Sequence, residues 1–145
     1  MHPSQPRSGP ERRLPASASS GQRGEQLAAE FLARAGFVIV ARNLRTTHGE
    51  IELLVRRGRD WAAVEVKARR DHPAPERCIS PAQLDRLAAA LRALAPELAP
   101  RPHSLRIDAV AVRWLADGPD LLHFPNLRSV LPGPHATGLR RRPLA

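Results

Sequence analysis

The stretch GEIELLVRRGRDWAAVEVKARR, residues 49–70, decides the reading of the fold. Apolar residues recur at a period of two on either side of Arg57-Gly58-Arg59-Asp60, which predicts two strands, Gly49 to Val55 and Trp61 to Ala68. Side chains alternate across a strand, so Glu50 and Glu52 share one face with Ile51 and Leu53 opposite, and Glu65 and Lys67 share one face with Val64 and Val66 opposite. A hairpin turning at Gly58-Arg59 places Arg57 opposite Asp60, Glu52 opposite Glu65 and Glu50 opposite Lys67. Directly opposed Cβ atoms lie roughly 4.5–5.5 Å apart, and like charges there destabilise a sheet. The surrounding valines and leucines imply little water between them, so the pair Glu52–Glu65 requires a positive charge nearby. Lys67 and neighbouring arginines are one source of that charge. A divalent cation is the other, since Mg²⁺ is held by one or two carboxylates plus waters and substrate phosphates.

Elements continue on both sides of the hairpin. Residues 24–35, GEQLAAEFLARA, set Leu27, Ala28, Phe31, Leu32 and Ala35 on one helical face, and Gly36 stops the helix. Phe37 to Ala41 is a short apolar run that predicts a strand. After a Pro-containing loop over 71–79, Ser80 offers an N-cap, Pro81 the first helical position and Gln83 a capping box, followed by a helix carrying Leu84, Leu87, Ala88, Leu91 and Leu94. Leu105 to Trp114 alternates as a strand, and Leu121 to Phe124 offers one more. The order is α-β-β-β-α-β with an extra strand, an α/β sheet covered by helices.

A chain of 145 residues holds one such domain with tails, here a disordered basic tail over 1–21, a folded domain over 22–128 and a second basic tail over 129–145. Lys+Arg number 23 against 14 Asp+Glu, a net charge of +9. Residues 1–23 carry four arginines against Glu11, and 129–145 end in Arg140, Arg141 and Arg142, so most of the excess sits at the ends and favours any polyanion without sequence preference. Only one of the 23 basic residues, Lys67, is a lysine. In a chain that otherwise uses arginine, this suggests a place where a compact donor with a movable pKa is needed.

Several classes are excluded. No window approaches 18 apolar residues, so no membrane span is expected, and MHPSQPRSGPERRLP lacks the apolar core of a secretory signal, so the expected location is cytoplasmic. The single cysteine, Cys78, cannot make an internal disulfide or a multi-cysteine zinc site. The lone lysine follows Val66, which excludes a P-loop, and neither HExxH nor G-x-S-x-G occurs. Aromatics at 3% leave no base-stacking platform. The six histidines lack ligand spacing, His123 included, and Arg106 with Asp108 on one strand face reads as a structural ion pair.

The pattern of an acid, a hairpin and Glu-x-Lys inside α-β-β-β-α-β resembles the PD-(D/E)XK, restriction-endonuclease-like superfamily. More narrowly, GQRGEQLAAEFLARAGFVIVARNLR (21–45), GEIELL (49–54), AAVEVKAR (62–69), ISPAQLDRL (79–87), RIDAVAV (106–112) and HFPNL (123–127) resemble the YraN-like family of uncharacterised bacterial proteins (uncharacterised protein family 0102). That family is similar in fold to Holliday-junction resolvases.

The resemblance implies a restriction-endonuclease-like core with a mixed central sheet flanked by helices, and a nucleic-acid partner, DNA first. It implies an endonuclease site in which Glu52 and Glu65 hold Mg²⁺ or Mn²⁺, Lys67 positions or activates water, and Glu25 supports the site from the first helix. A homodimer is the further partner that cutting two strands calls for, although no residues mark an interface. Glu52 stands where the family has Asp (GEIE for GEID), Gln83 where relatives carry a lysine that would contact phosphate, and Pro73 near the place of a usual glycine. The other outcome is a catalytically silent nucleic-acid-binding or scaffold protein gripping its partner with Arg45, Arg69, Arg70 and the tails. The bland alternatives are an ion pair for Glu65 and Lys67, a solvated edge for Glu50 and a helix-dipole role for Glu25.

Overall fold

The first helix, α1, spans Ser20–Arg34, and Gly36 at φ +93° ends it in a backbone conformation that glycine adopts without strain. Five strands follow: β1 (Val38–Thr46), β2 (Gly49–Arg57), β3 (Asp60–Arg69), β4 (Ser104–Leu115) and β5 (Gly118–Leu131). A second helix, α2 (Pro81–Leu94), and a 3-10 turn (Ala95–Glu97) lie between β3 and β4. These elements come from a computed structural model that describes residues 20–69, 77 and 79–131.

The strands lie in sequence order, with only β3 and β4 parallel, so the sheet is mixed. A parallel neighbour needs a crossover, and α2 supplies it. Helix α2 covers one face, packing Leu87, Ala88, Ala90 and Leu91 on Ile51, Leu54, Trp61, Ala63 and Ile107. Helix α1 covers the other, with Ala28, Ala29 and Leu32 on Leu53, Val55, Val64, Val66, Val110 and Val112. Of the predicted α1 stripe, Ala35 is exposed while Ala29, absent from it, is buried, because the helix ends before completing the turn that would bring residue 35 onto the sheet.

The hairpin register is the predicted one, from Arg57↔Asp60 back to Leu53↔Val64. β1 reaches Thr46 rather than Ala41, and the extra strand runs from Gly118 to Leu131. α1 begins at Ser20 and β5 ends at Leu131, so both extend past 22–128; residues 1–19 and 132–145 lie outside the described residues, as do the loop residues 70–76 and Cys78.

One buried carboxylate fixes β5 to β4. Asp108 accepts from Arg106 Nε at 2.9 Å, Arg106 Nη2 at 3.3 Å and the Asn126 N–H at 2.9 Å, and it pairs with His123 Nε2 at 2.8 Å, at the point where the β4–β5 register shifts. Burial alone would push its carboxyl up; the His123 and Asn126 hydrogen bonds and the Arg106 guanidinium outweigh it and hold it below the ordinary value. The expected Arg106–Asp108 ion pair is therefore present, and His123 is part of it. Among the described residues no helix is long and apolar enough to cross a membrane.

Candidate functional site

Strict alternation fails twice in β1, at the bulge between Ile39 and Ala41 and at Asn43, and once in β2, at Glu52; Asn43 and Glu52 face each other. Leu44↔Ile51 and Arg42↔Leu53 are paired, but Asn43 and Glu52 between them are not. Asn43 takes φ +50°, left-handed backbone that asparagine tolerates better than most residues. Beyond this break Ile51 packs under α2 while Leu53 packs under α1, so the two do not share a face as alternation requires. Ala41 and Leu44, three apart, both reach the α2 side.

The β2–β3 ladder also stops here. Its last pair is Leu53↔Val64, one position short of Glu52 and Glu65. Glu52 turns its carboxylate across the gap, where Oε2 accepts the Val66 N–H at 2.6 Å. Glu65, 5% exposed, accepts on Oε1 from Lys67 Nζ at 3.1 Å and from Gln83 Nε2 at 2.7 Å. These contacts leave one oxygen of each carboxylate outside them. Ser80 Oγ caps α2 by accepting the Gln83 N–H at 3.2 Å, but the Gln83 side chain turns to Glu65, so the capping box is used only by half.

Glu25 arrives from the other face. Gly24 lets α1 lie close to β3, since a Cβ there would come 3.0 Å from the Cβ of Ala68. The next residue, Glu25, hydrogen-bonds the Asn43 side chain and feels Glu50, Glu65 and Arg42. Its carboxyl is raised above the ordinary value by burial first and by the charge of Glu50 second. Glu52 is pushed up to about 7, by burial first, then by Glu65 and Glu25, against the Val66 hydrogen bond and Lys67. One buried and two half-buried carboxylates thus meet where the strands separate.

The structure brings together Glu25, Glu52, Glu65, Lys67 and Gln83. Glu50 is not opposite Lys67, because the β2–β3 pairing has ended; it pairs with Arg45 across β1–β2, both exposed at the rim. Arg69 ends β3 opposite Arg113, and Arg70 lies outside the described residues. Asn43 went unnoticed in the sequence; an asparagine amid an apolar strand pattern is the signal that marks it.

Among the described residues no three His, Cys, Asp or Glu side chains form a ready metal cage. Two carboxylates suffice for Mg²⁺ when waters and phosphates complete its shell, and carboxylate oxygens are the donors such a hard cation takes. Glu52 and Glu65 side by side supply that kind of donor pair, and the Glu52 carboxyl, raised by burial first and by the charge of Glu65 second, would be relieved by a cation there.

The sequence profile of Uncharacterised protein family UPF0102 matches residues 24–112. A UPF0102 protein of Rhizorhabdus wittichii is 40% identical over 101 residues, covering 70% of this chain and 86% of the relative. One from Leifsonia xyli subsp. xyli is 35% identical over 111 residues, covering 74% and 93%. Among solved structures the chain is similar to Hjc, a Holliday junction resolvase from Archaeoglobus fulgidus, at 22% identity and a TM-score of 0.45, over 72% of this chain and 76% of that one. It is also similar to Pyrococcus furiosus SfsA in complex with Ca²⁺, at 14% identity and a TM-score of 0.36, over 74% and 62%.

Proposed function

The chain belongs to Uncharacterised protein family UPF0102, and within that family we propose that this protein binds nucleic acid, DNA first, and hydrolyses phosphodiester bonds with a divalent cation, Mg²⁺ or Mn²⁺. The observation that carries the reading is the meeting of Glu52 and the buried Glu65 at the point where β2 and β3 part, with Glu52 bonded to the Val66 N–H and Glu65 to Lys67. A cation held by Glu52 and Glu65 would polarise the phosphate and lower the pKa of a bound water. Lys67, which donates to Glu65, would hold that water or donate to a phosphate oxygen. Glu25 faces the same space from α1 and supports the site through its charge. The basic excess of the chain supplies salt-dependent affinity for the polyanion, and such a role goes with a cytoplasmic protein. Cleavage of two strands would call for a homodimer, which sizing the DNA complex measures.

Calorimetric titration of Mg²⁺ and Mn²⁺ into wild type and Glu52→Ala/Glu65→Ala tests the site, followed by cleavage assays on four-way junctions, flaps and single strands. The expected result is heat with wild type alone, and cutting that Glu65→Ala and Lys67→Ala abolish with the fold intact. Lys67→Arg keeps the charge and changes the donor geometry, so it should retain binding and lose most of the rate. Absence of metal binding both alone and with a DNA junction present would sink the nuclease reading.

A specific observation favours a second reading, a catalytically silent nucleic-acid-binding protein. Lys67 and Gln83 both occupy Oε1 of Glu65, which offsets part of its charge from within the chain. This reading predicts salt-sensitive DNA binding with no cleavage under any metal.

A further inference from the structure

We propose that Arg86, seated on Gly49 at the start of the strand that carries Glu52, holds a backbone phosphate of the nucleic-acid strand whose reacting phosphate lies at Glu52 and Glu65. The inference rests on the nuclease or binding reading above and adds to it a residue and a place on the strand. Arg86 lies three residues after Gln83 on α2, so both stand on one helix face, and Gln83 is the residue that reaches Glu65. From there the Arg86 side chain crosses to β2. A Cβ on Gly49 would lie 2.9 Å from its Cδ and Nε and 3.4 Å from its Cζ, so the arginine lies directly against the Gly49 backbone. Gly49 also has φ +113°, and its carbonyl accepts the Thr46 hydroxyl at 2.7 Å, which fixes the β1–β2 turn under the arginine.

The seat has a direction. Gly49 directly precedes Glu50 and lies three residues before Glu52, so Arg86 lies over the start of the strand that carries the site's carboxylates. Its charge is uncommitted: among the described residues Arg86 enters no ion pair, while its neighbour Asp85 pairs with Arg128 and Arg106 with Asp108. The carboxylates of Glu25, Glu52 and Glu65 repel phosphate, so an approaching strand needs a fixed cation beside them. A guanidinium offers a fork that fits phosphate oxygens in pairs.

The test is binding to a fluorescent four-way DNA junction and to a single-stranded oligonucleotide in EDTA, where a metal-dependent site makes no cut. Wild type, Arg86→Ala and Arg86→Lys are compared across a salt series. Arg86→Ala is expected to bind about tenfold more weakly, with a plot of log affinity against log salt shallower by about one unit, the signature of one lost phosphate contact. Arg86→Lys should keep the slope. A single methylphosphonate, moved along the strand, should weaken wild type at one position and leave Arg86→Ala unchanged there. If wild type binds and Arg86→Ala matches it in affinity and slope, Arg86 is not the contact and the site reading stands. A lowered Tm with an unchanged slope makes Arg86 a strut between α2 and the turn, and also overturns the proposal. Should wild type bind neither probe, the function proposed above falls and this inference with it.

Discussion

At the residue scale, Glu52 is the group whose titration is coupled to folding. Its carboxyl stands at about 7 in the fold against an ordinary 4.5, so the folded chain holds a proton that the unfolded chain releases between those values. Stability therefore falls as pH rises from 4.5 to 7, and the full cost is present above 7. Glu52→Gln keeps an oxygen for the Val66 N–H and removes the charge. It should be more stable than wild type by about 1–2 kcal/mol at pH 8 and equal to it near pH 4, read from urea midpoints at both pH values. Asn43 acts on Glu25 through one hydrogen bond and a left-handed backbone. Asn43→Ala loses the bond and adds strain, at about 1–2 kcal/mol in thermal unfolding, whereas Asn43→Gly should recover the part due to strain alone. That Glu52, Glu65 and Lys67 come together was legible in the chain because they are charges placed in apolar strands. What escaped was geometry: alternation cannot show that Asn43 and Glu52 interrupt it together, because the cause is a tertiary gap between strands.

At the element scale, the hairpin register followed from a short turn, and α2 from its Ser80 cap and Pro81, since both are set by local chemistry. β5 was underestimated for a physical reason. Half-exposed, with Pro119 and Pro125 and with Asn126 at φ +56°, it has no clean alternation and depends on its partner β4. Asp108 supplies much of that dependence. Its carboxyl is held below the ordinary 3.8, so the stability it contributes is present above that pH and lost as pH falls through the lowered value. Asp108→Asn should cost about 3 kcal/mol at pH 7 because Arg106 and His123 lose their common partner, and the gap to wild type should narrow as pH falls below the ordinary carboxylate value. Thermal melts of both proteins across that range are the check; a gap independent of pH would mean that packing, not charge, is what Asp108 contributes.

At the scale of the whole molecule, three layers meet at the candidate site: α1 brings Glu25 from one face, α2 brings Gln83 from the other, and the parting strands between them carry Glu52, Glu65 and Lys67. A ligand that binds only when all three layers are assembled stabilises the fold by mass action, RT ln(1 + [L]/Kd). Mg²⁺ at about tenfold its Kd should then add about 1.4 kcal/mol, a rise in Tm of about 4–8 °C for a domain of this size. The same cation competes with the proton on Glu52. The rise should be full at pH 8, shrink through pH 7 and vanish near pH 5, because the carboxyl that would hold the metal is protonated there. Glu52→Gln has no proton to displace and should show no rise at any pH. Removing the metal with EDTA should return wild type to its starting Tm. A rise that persists unchanged at pH 5, or in Glu52→Gln, would place the cation elsewhere on the surface and separate the charge imbalance of this cleft from metal binding altogether.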